Sequence, residues 1–544
     1  MSAIVRTKGV MPSLQCERSA ILLCGLGLAL ANALYAQSVG KLGDEISISG
    51  PRGGDQTAPQ VSIGSNGGYA VWQDSVSDGV GASFGIVARK LNPDLSATST
   101  VFRVNQIRNG PQENPQVALL KNGAATFVWQ GGKLGNQDIY LRTMTAKGVL
   151  MPTNDVRVNA FTTGEQSAPV ITCLTNGNLA VAWCSLHQDK GLEGVYARIL
   201  QPMGAFVTAP FRVNQFTGNS QRGPAITTLG NGTFLVVWVS DNQGVSTMEV
   251  LRHTNRVHVY GRVFGPGAGK PLCDEFRINT RSNLCSSPSV AAWGERGFTV
   301  TWGERSDVRA NGWDIYARTF SAFETPVTDA VLVNEVTEGN QVGAKIAQVG
   351  EDQLVVWSSP DGWREGVFGR FLRAGQPTGS QFLVNTVTNG SQIQPMVTGD
   401  KASRFLVLWS SFIGDSSFDI EAQRYIVDSS SATPPANGSD LIVTKSLSDQ
   451  SSGIGVSPPG PAGTGGGSGV VPLSSSLRVS LANSMKGKIL SWNTEPGRIY
   501  QVQCSTNCLT WRDLGTPRTA AATTDFMVFG SGENSAFYRV VCLP

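Results

Sequence analysis

Few residues in this chain combine the type and spacing that catalysis asks for. Gly81-Ala82-Ser83-Phe84-Gly85 has the G-x-S-x-G form, in which a strand-turn-helix elbow presents the serine as a nucleophile. Here the match falls in a loop with no helical pattern after it, and no catalytic residue is assigned. His253 and His258 are the one close histidine pair, with Glu249 nearby as a third ligand by type. A metal site needs a third fixed ligand and supporting outer contacts. A solvated loop accounts for the pair, so neither metal nor other cofactor is expected. His187 is isolated and reads as a surface residue. Glu304, Asp307 and Asp361 could supply the acids of a polysaccharide-cleaving enzyme, which in the inverting case stand about 6.5–9.5 Å apart.

The elements that must position these side chains are set by repetition. One phrase recurs: V-x-x-L-x-N-G-x-F-x-V-x-W, a loop, D/G-I-Y-A-R, a second loop, F-x-V-N, then T-x-G-x-Q-x-x-P. Its tryptophan falls at Trp72, Trp129, Trp183, Trp238, Trp302, Trp357 and Trp409, at spacings of 57, 54, 55, 64, 55 and 52. A fixed period in this range marks a solenoid, propeller or array. Each unit reads as four short strands, A to D. Asn122-Gly123, Asn176-Gly177 and Asn231-Gly232 predict a type I′ hairpin between A and B. Strand B, as in Phe234–Trp238, is apolar on both faces and needs cover on both sides. Strand C is the D-I-Y-A-R segment and strand D is F-x-V-N.

The seventh unit stops after strand C at Arg424-Tyr425, while Glu45-Ile46-Ser47-Ile48-Ser49 precedes the first unit with no strands of its own. The N-terminal strand can therefore complete the last blade and hide an open sheet edge. The expected architecture is all-β: a seven-bladed β-propeller of four-stranded blades closed by an N-terminal strand, plus a small C-terminal β domain. A β-sandwich array is the alternative.

This frame sorts the remaining residues. Asp138, Asp314, Asp419 and the repeated arginines return with the unit and are expected to serve it, by capping turns or reaching backbone carbonyls. The glutamines of Q-x-x-P (Gln56, Gln112, Gln166, Gln221, Gln341 and Gln392, with Cys285 in the fifth unit) are expected to bond backbone in the D–A turns. With strand A innermost, the B–C and D–A loops share one face, and loops on a rigid scaffold carry function. Trp313 and Trp363 lie in B–C loops outside the repeated tryptophan position. With Asp361, Arg364 and His253 they form the expected ligand-binding set, suited to an extracellular carbohydrate or protein.

Arg6, Lys8 and Arg18 precede the apolar run Ala20–Leu30 and the small residues of ANALYA. This is the form of a secretory signal over 1–36, cleaved after Ala36 or after Ala33. Met11 is an alternative start and an uncleaved anchor the alternative fate, although the run is short of the roughly 20 residues a span needs. No transmembrane helix is expected after the signal is removed. The propeller spans 37–427, a Ser/Gly/Pro-rich linker 428–476, and a small β-sandwich-like domain 477–544. With a net charge of +3 and no Lys/Arg block, nucleic acid is an unsuitable partner; a monomer is expected. Cys173, Cys184, Cys273, Cys285, Cys504, Cys508 and Cys542 follow the signal. An exported chain permits disulfides, an odd count leaves one thiol over, and Cys542 could pair with Cys504 or Cys508.

The V-x-W, D-I-Y-A-R, F-x-V-N, Q-x-x-P phrase resembles repeats of large secreted bacterial propeller proteins, some of which carry repeats-in-toxin calcium segments. The resemblance covers about Asp44–Tyr425 and implies an extracellular or envelope-associated propeller, commonly without defined activity. The G-G-x-G-x-D calcium nonapeptides are absent, so calcium is not implied. Ser491-Trp492, Pro496-Gly497, Tyr500-x-Val502-Gln503 and Ser505…Trp511 resemble small C-terminal β-sandwich modules of secreted bacterial proteins. The expectation is a non-enzymatic exported binding or adhesion protein. The alternatives are a secreted propeller enzyme acting on polysaccharide, as glycosidase or lyase, and a purely structural envelope scaffold.

Overall fold

The structure is a computed structural model. It describes residues 39–78, 83–189, 191–244, 256–305, 312–362, 364–413 and 417–427, together with strands between 479 and 543. Every regular element among them is a β-strand, and the chain divides into two compact units, Met1–Ala436 and Asn437–Pro544. The expected linker at 428–476 lies outside the described residues.

In the first unit the second repeat shows the plan. Strands Gln112–Leu119, Ala125–Gly131, Asp138–Met144 and Leu150–Arg157 pair antiparallel in chain order. The A–B hairpin differs from the type I′ expectation: Gly123, Gly177 and Gly232 have positive φ, but the asparagines before them do not. Gly123 N–H donates to Leu120 O and Leu120 N–H to Ala124 O, a longer turn that needs only one left-handed residue. The Asn122 carboxamide serves by accepting the Ala124 N–H at 3.0 Å.

The first strands of the repeats line an axis. Each contacts the first strand on either side, and Gln392–Gly399 contacts Gln56–Gly64, so the ring closes. Five of them begin at the glutamine of Q-x-x-P and the other two within one residue of its position, earlier than the sequence suggests. Each also carries a left-handed residue two places on: Ala58, Asn114, Ala168, Gly223, Ser287, Gly343 and Gln394. The register slips at the same point, between Glu113 and Gln116 in the second repeat. The bulge, followed in six repeats by a proline that cannot donate, bends the strand where it nears the axis. Strand B is buried along its length, and all seven repeated tryptophans are at most 1% exposed. Trp238, for example, packs against Val195 and Ala197 of the preceding repeat. This is a β-propeller arrangement of four-stranded blades.

The sheets are not seven separate ones. Repeats one, two, three and six each form a four-stranded sheet, whereas repeats four and five share a nine-stranded one. They join through a single parallel pair, Val257 with Leu284. Strand D of repeat four, Phe276–Arg277, covers only Tyr260 and Gly261, but repeat three has an equally short strand D, Phe211–Arg212, and stays a separate sheet. Repeat seven lies in a five-stranded sheet whose last strand, Ser417–Val427, is flanked by Val39–Lys41 and Ile46–Ser47. Ile46 lies opposite Ala422, and the Ile48 N–H donates to Ile420 O at 2.8 Å.

The second unit contains two small sheets, Val479–Ser484 with Gly487–Asn493 and Thr524–Phe529, and a second around Ile499–Ser505. Register there places Cys542 opposite Tyr500 and Cys504 opposite Tyr538. Cys504 and Cys542 are thus four strand positions apart, about 13 Å, beyond the span of a disulfide. Of the two partners considered for Cys542, Cys504 is removed by this register, and Cys508 lies outside the described residues.

Candidate binding face

The repeated polar residues converge on backbone atoms. In six repeats the asparagine of F-x-V-N accepts the N–H of the second or third residue of strand C, at 2.7–2.9 Å. Its side-chain NH2 donates to the carbonyl two residues on, as from Asn159 to Phe161 O at 2.8 Å. The same group also donates to a carboxylate at the B–C end: Asp78, Asp138, Asp189 or Asp314. Repeat four has His258 there, its Nδ1 at 3.2 Å from Asn279 Nδ2. Burial first, then Arg277 and Arg256, push its pKa down to about 4, so it serves as a neutral acceptor. The remaining residue of the expected histidine pair, His253, lies outside the described residues.

The arginines of strand C link neighbouring repeats. Arg89, Arg142, Arg198, Arg262, Arg318 and Arg370 each donate from Nη1 to the carbonyl just before the conserved-type asparagine or its counterpart in the previous repeat, at 2.8–3.0 Å. In the first repeat that carbonyl belongs to Ile48.

The glutamines differ in their partners, and the Gln392 amide has none among the described residues. Gln56, Gln112, Gln221 and Gln341 donate to carbonyls in their own D–A turns. Gln112 and Gln166 also accept the ring N–H of Trp129 and Trp183, at 3.0 and 3.2 Å. Repeat five lacks the glutamine, and Glu304 replaces it: Trp302 Nε1 donates to Glu304 Oε2 at 2.9 Å, with Arg281 and Asn283 on Oε1 at 3.2 and 2.7 Å. Glu304 is only 3% exposed. Its carboxylate belongs to the tryptophan lattice of its blade, a role the sequence had hidden because only one repeat uses it. Of the other two acids considered for catalysis, Asp307 lies outside the described residues and Asp361 is in the loop described next.

Trp313 begins a strand C, Trp313–Ala322, and is partly exposed. Its ring lies against the Cα of Gly303, where an added Cβ would sit 3.5 Å from it. Arg305, opposite it in register, places its guanidinium 5.6 Å from the ring centroid. The Trp313 N–H donates to Asn340 Oδ1 at 3.2 Å, tying this strand to the next D–A loop. That loop also meets the Asp361 turn, since a Cβ on Gly339 would lie 3.1 Å from Pro360 Cγ. In the turn, the Arg364 N–H donates to Asp361 Oδ1 at 3.1 Å; Asp361 is partly exposed and Arg364 exposed. Three members of the expected set thus flank one D–A loop between repeats five and six, and Trp363 lies outside the described residues. Sequence reasoning missed Arg305 and Gly303. The signal was present: the residue after the repeated tryptophan is Gln73 or Gln130 in early repeats, and those side chains accept the bulge N–H of Asn114 and Ala168. Glycine at 303 and at the facing bulge, Gly343, leaves that position open.

Cys173, Cys184, Cys273 and Cys285 are free thiols. Burial pushes the Cys184 thiol up to about 12, which makes it inert as a nucleophile. Among the described residues no group of three or more His, Cys, Asp and Glu could hold a metal ion. Nor is any helix there long and apolar enough to cross a membrane.

No family model matches this sequence, and no curated protein matches it. Among solved structures, a protein of unknown function from Dyadobacter fermentans is similar with a TM-score of 0.43 and 11% identity, covering 60% of this chain and 97% of that one. An α-L-arabinofuranosidase from Fusarium graminearum is similar at 0.41 and 14%, covering 61% and 98%. An α-L-arabinanase from Penicillium chrysogenum is similar at 0.40 and 12%, covering 63% and 100%. At this level the likenesses assign no substrate to the chain.

Proposed function

We propose that this chain is an exported, non-enzymatic binding protein. In this reading a seven-bladed propeller, closed by its N-terminal strand, presents the B–C and D–A loop face to an extracellular carbohydrate or protein. The seven-blade reading treats the nine-stranded sheet as two blades that touch through one residue pair. It is supported by the way the last blade borrows its parts. Ser49 occupies the asparagine position, accepting the Ile420 N–H at 3.0 Å and donating to Asp419 Oδ1 at 3.1 Å. Gln423 stands where six repeats have arginine, and Lys41 Nζ takes the orphaned carbonyl of Val384 at 3.0 Å.

The observation that carries the binding reading is the division of labour on the loop face. Polar residues that repeat are bonded to scaffold, whereas Trp313, Arg305, Asp361 and Arg364 break the repeat and gather beside one D–A loop. An aromatic ring beside carboxylate and guanidinium groups suits a sugar or a peptide. The rival reading, a polysaccharide-cleaving enzyme, would draw on Glu304, Asp307 and Asp361, of which Glu304 already accepts bonds from Trp302, Arg281 and Asn283. The signal-like sequence of residues 1–36 supports export, and the short tail module supports a tethered display.

Glycan and peptide arrays probed with the whole protein and with Trp313→Ala test this reading. The expected result is a defined ligand whose binding falls at least tenfold in the variant, with an unchanged melting temperature. Absence of any array ligand, or release of reducing sugar from a polysaccharide panel, contradicts it.

A further inference from the structure

A second aromatic lies outside the repeated tryptophan position, on the opposite face. Trp293 ends the A strand of repeat five, where repeats one to four place an Asn-Gly hairpin, and is followed by Gly294-Glu295-Arg296-Gly297. The ring is held rather than loose. It lies over Gly297, where an added Cβ would come within 2.8 Å of Trp293 Cε3. The hairpin tip is fixed from the neighbouring repeat, because the Asn231 N–H donates to Glu295 O at 2.8 Å. The two tips approach so closely that a Cβ on Gly230 would sit 2.7 Å from Gly294 O.

Trp293, Glu295, Arg296 and Ser321 line a shallow cleft of about 320 Å³. Trp293 is partly exposed, and Glu295, Arg296 and Ser321 are exposed. Among the described residues neither the Glu295 carboxylate nor the Arg296 guanidinium has a side-chain partner. This contrasts with the loop face, where most charged groups are bonded.

We propose that this cleft is a saccharide subsite, separate from the loop-face site and independent of it. The chemistry selects the ligand class. One carboxylate and one guanidinium cancel in net charge, which disfavours both anions and cations as primary ligands. An acceptor and a planar donor fork that line the same cleft as an aromatic ring match a pyranose, whose C–H face stacks while neighbouring hydroxyls donate to Glu295 and accept from Arg296. The volume lies at the lower end of ligand pockets, roughly 300–1,000 Å³, and so fits one or two sugar rings.

The test uses the whole protein with cellobiose, maltose and lactose as probes. Saturation-transfer NMR should show transfer to protons on one ring face of at least one probe. The signal should be lost in Trp293→Ala and weakened about tenfold in Glu295→Gln and in Arg296→Met, two surface changes that leave the core intact. Trp313→Ala should leave it unchanged, which separates this proposal from the loop-face reading. No transfer to any probe from the wild-type protein, or transfer that survives Trp293→Ala, overturns it.

Discussion

At the scale of single residues, the tryptophans divide into two physical classes. Trp238 is fully buried between repeats, so Trp238→Ala should cost about 3–5 kcal/mol in chemical denaturation. Trp313 rests on a glycine at the surface, and Trp313→Ala should cost under about 1 kcal/mol. Equal losses in the two variants would make Trp313 a packing residue. The fifth repeat offers a sharper substitution test. Glu304→Ala strands the buried Trp302 N–H, and should cost about 1–3 kcal/mol. Adding Cys285→Gln restores the acceptor used by Trp129 and Trp183, and denaturant midpoints should recover most of the loss. The sequence revealed Cys285 as an exception without revealing what replaced it, because a substitute on the facing strand is visible only once the strands pair. Likewise the asparagine could be recognised by its recurrence, but its three simultaneous bonds depend on loops closing around it.

At the scale of elements, strand order was legible and turn geometry was not. Asn-Gly announced a hairpin, but its type was decided by one extra turn residue, which lets Gly123 alone take the left-handed conformation. The N-terminal strand was legible because Ile46-Ser47-Ile48-Ser49 copies the alternation of F-x-V-N, down to a hydrogen-bonding fourth residue. That strand covers Glu421, which lies opposite Ser47 and is 8% exposed. Burial, with smaller contributions from Glu45 and Asp419 against a Ser47 hydrogen bond, raises its pKa to about 7. A carboxyl raised in the folded state from an ordinary value near 4.5 stabilises the fold in its protonated form. This contribution is complete below about pH 4.5 and is lost as pH rises through 7. Thermal melts from pH 5 to 8 should therefore fall with pH in the wild type more steeply than in Glu421→Gln, which should be the more stable protein at pH 8. Parallel pH profiles would remove Glu421 from the account.

At the scale of the whole molecule, ring closure fills the same inter-repeat bond to a backbone carbonyl in every repeat. Six arginines bind the carbonyls of their neighbours, and the seventh carbonyl is met by Lys41 from the chain's other end. The sheet edge of Ser417–Val427 is covered in the same way, by residues nearly the whole propeller away in sequence. The seven-fold period was plain in the sequence. The merging of repeats four and five was not, because it rests on one backbone pair, Val257 with Leu284. The proposed binding sites were the least legible part. Trp313 stood out by type, but Arg305, Gly303 and Trp293 acquire meaning only when loops from separate repeats are brought side by side.

Closure by the N-terminal strand underlies this whole account, and hydrogen–deuterium exchange measures it directly. The amides of Leu42, Ile48 and Ser49 donate to carbonyls of Arg424 and Ile420, so peptides covering 42–49 should be protected as strongly as those covering 418–426, and both should open together in denaturant. Deleting residues 37–50 should release protection in 418–426 and lower the melting temperature sharply, because it bares a strand edge. Rapid exchange across 42–49 in the intact protein, with 418–426 still protected, would contradict the account.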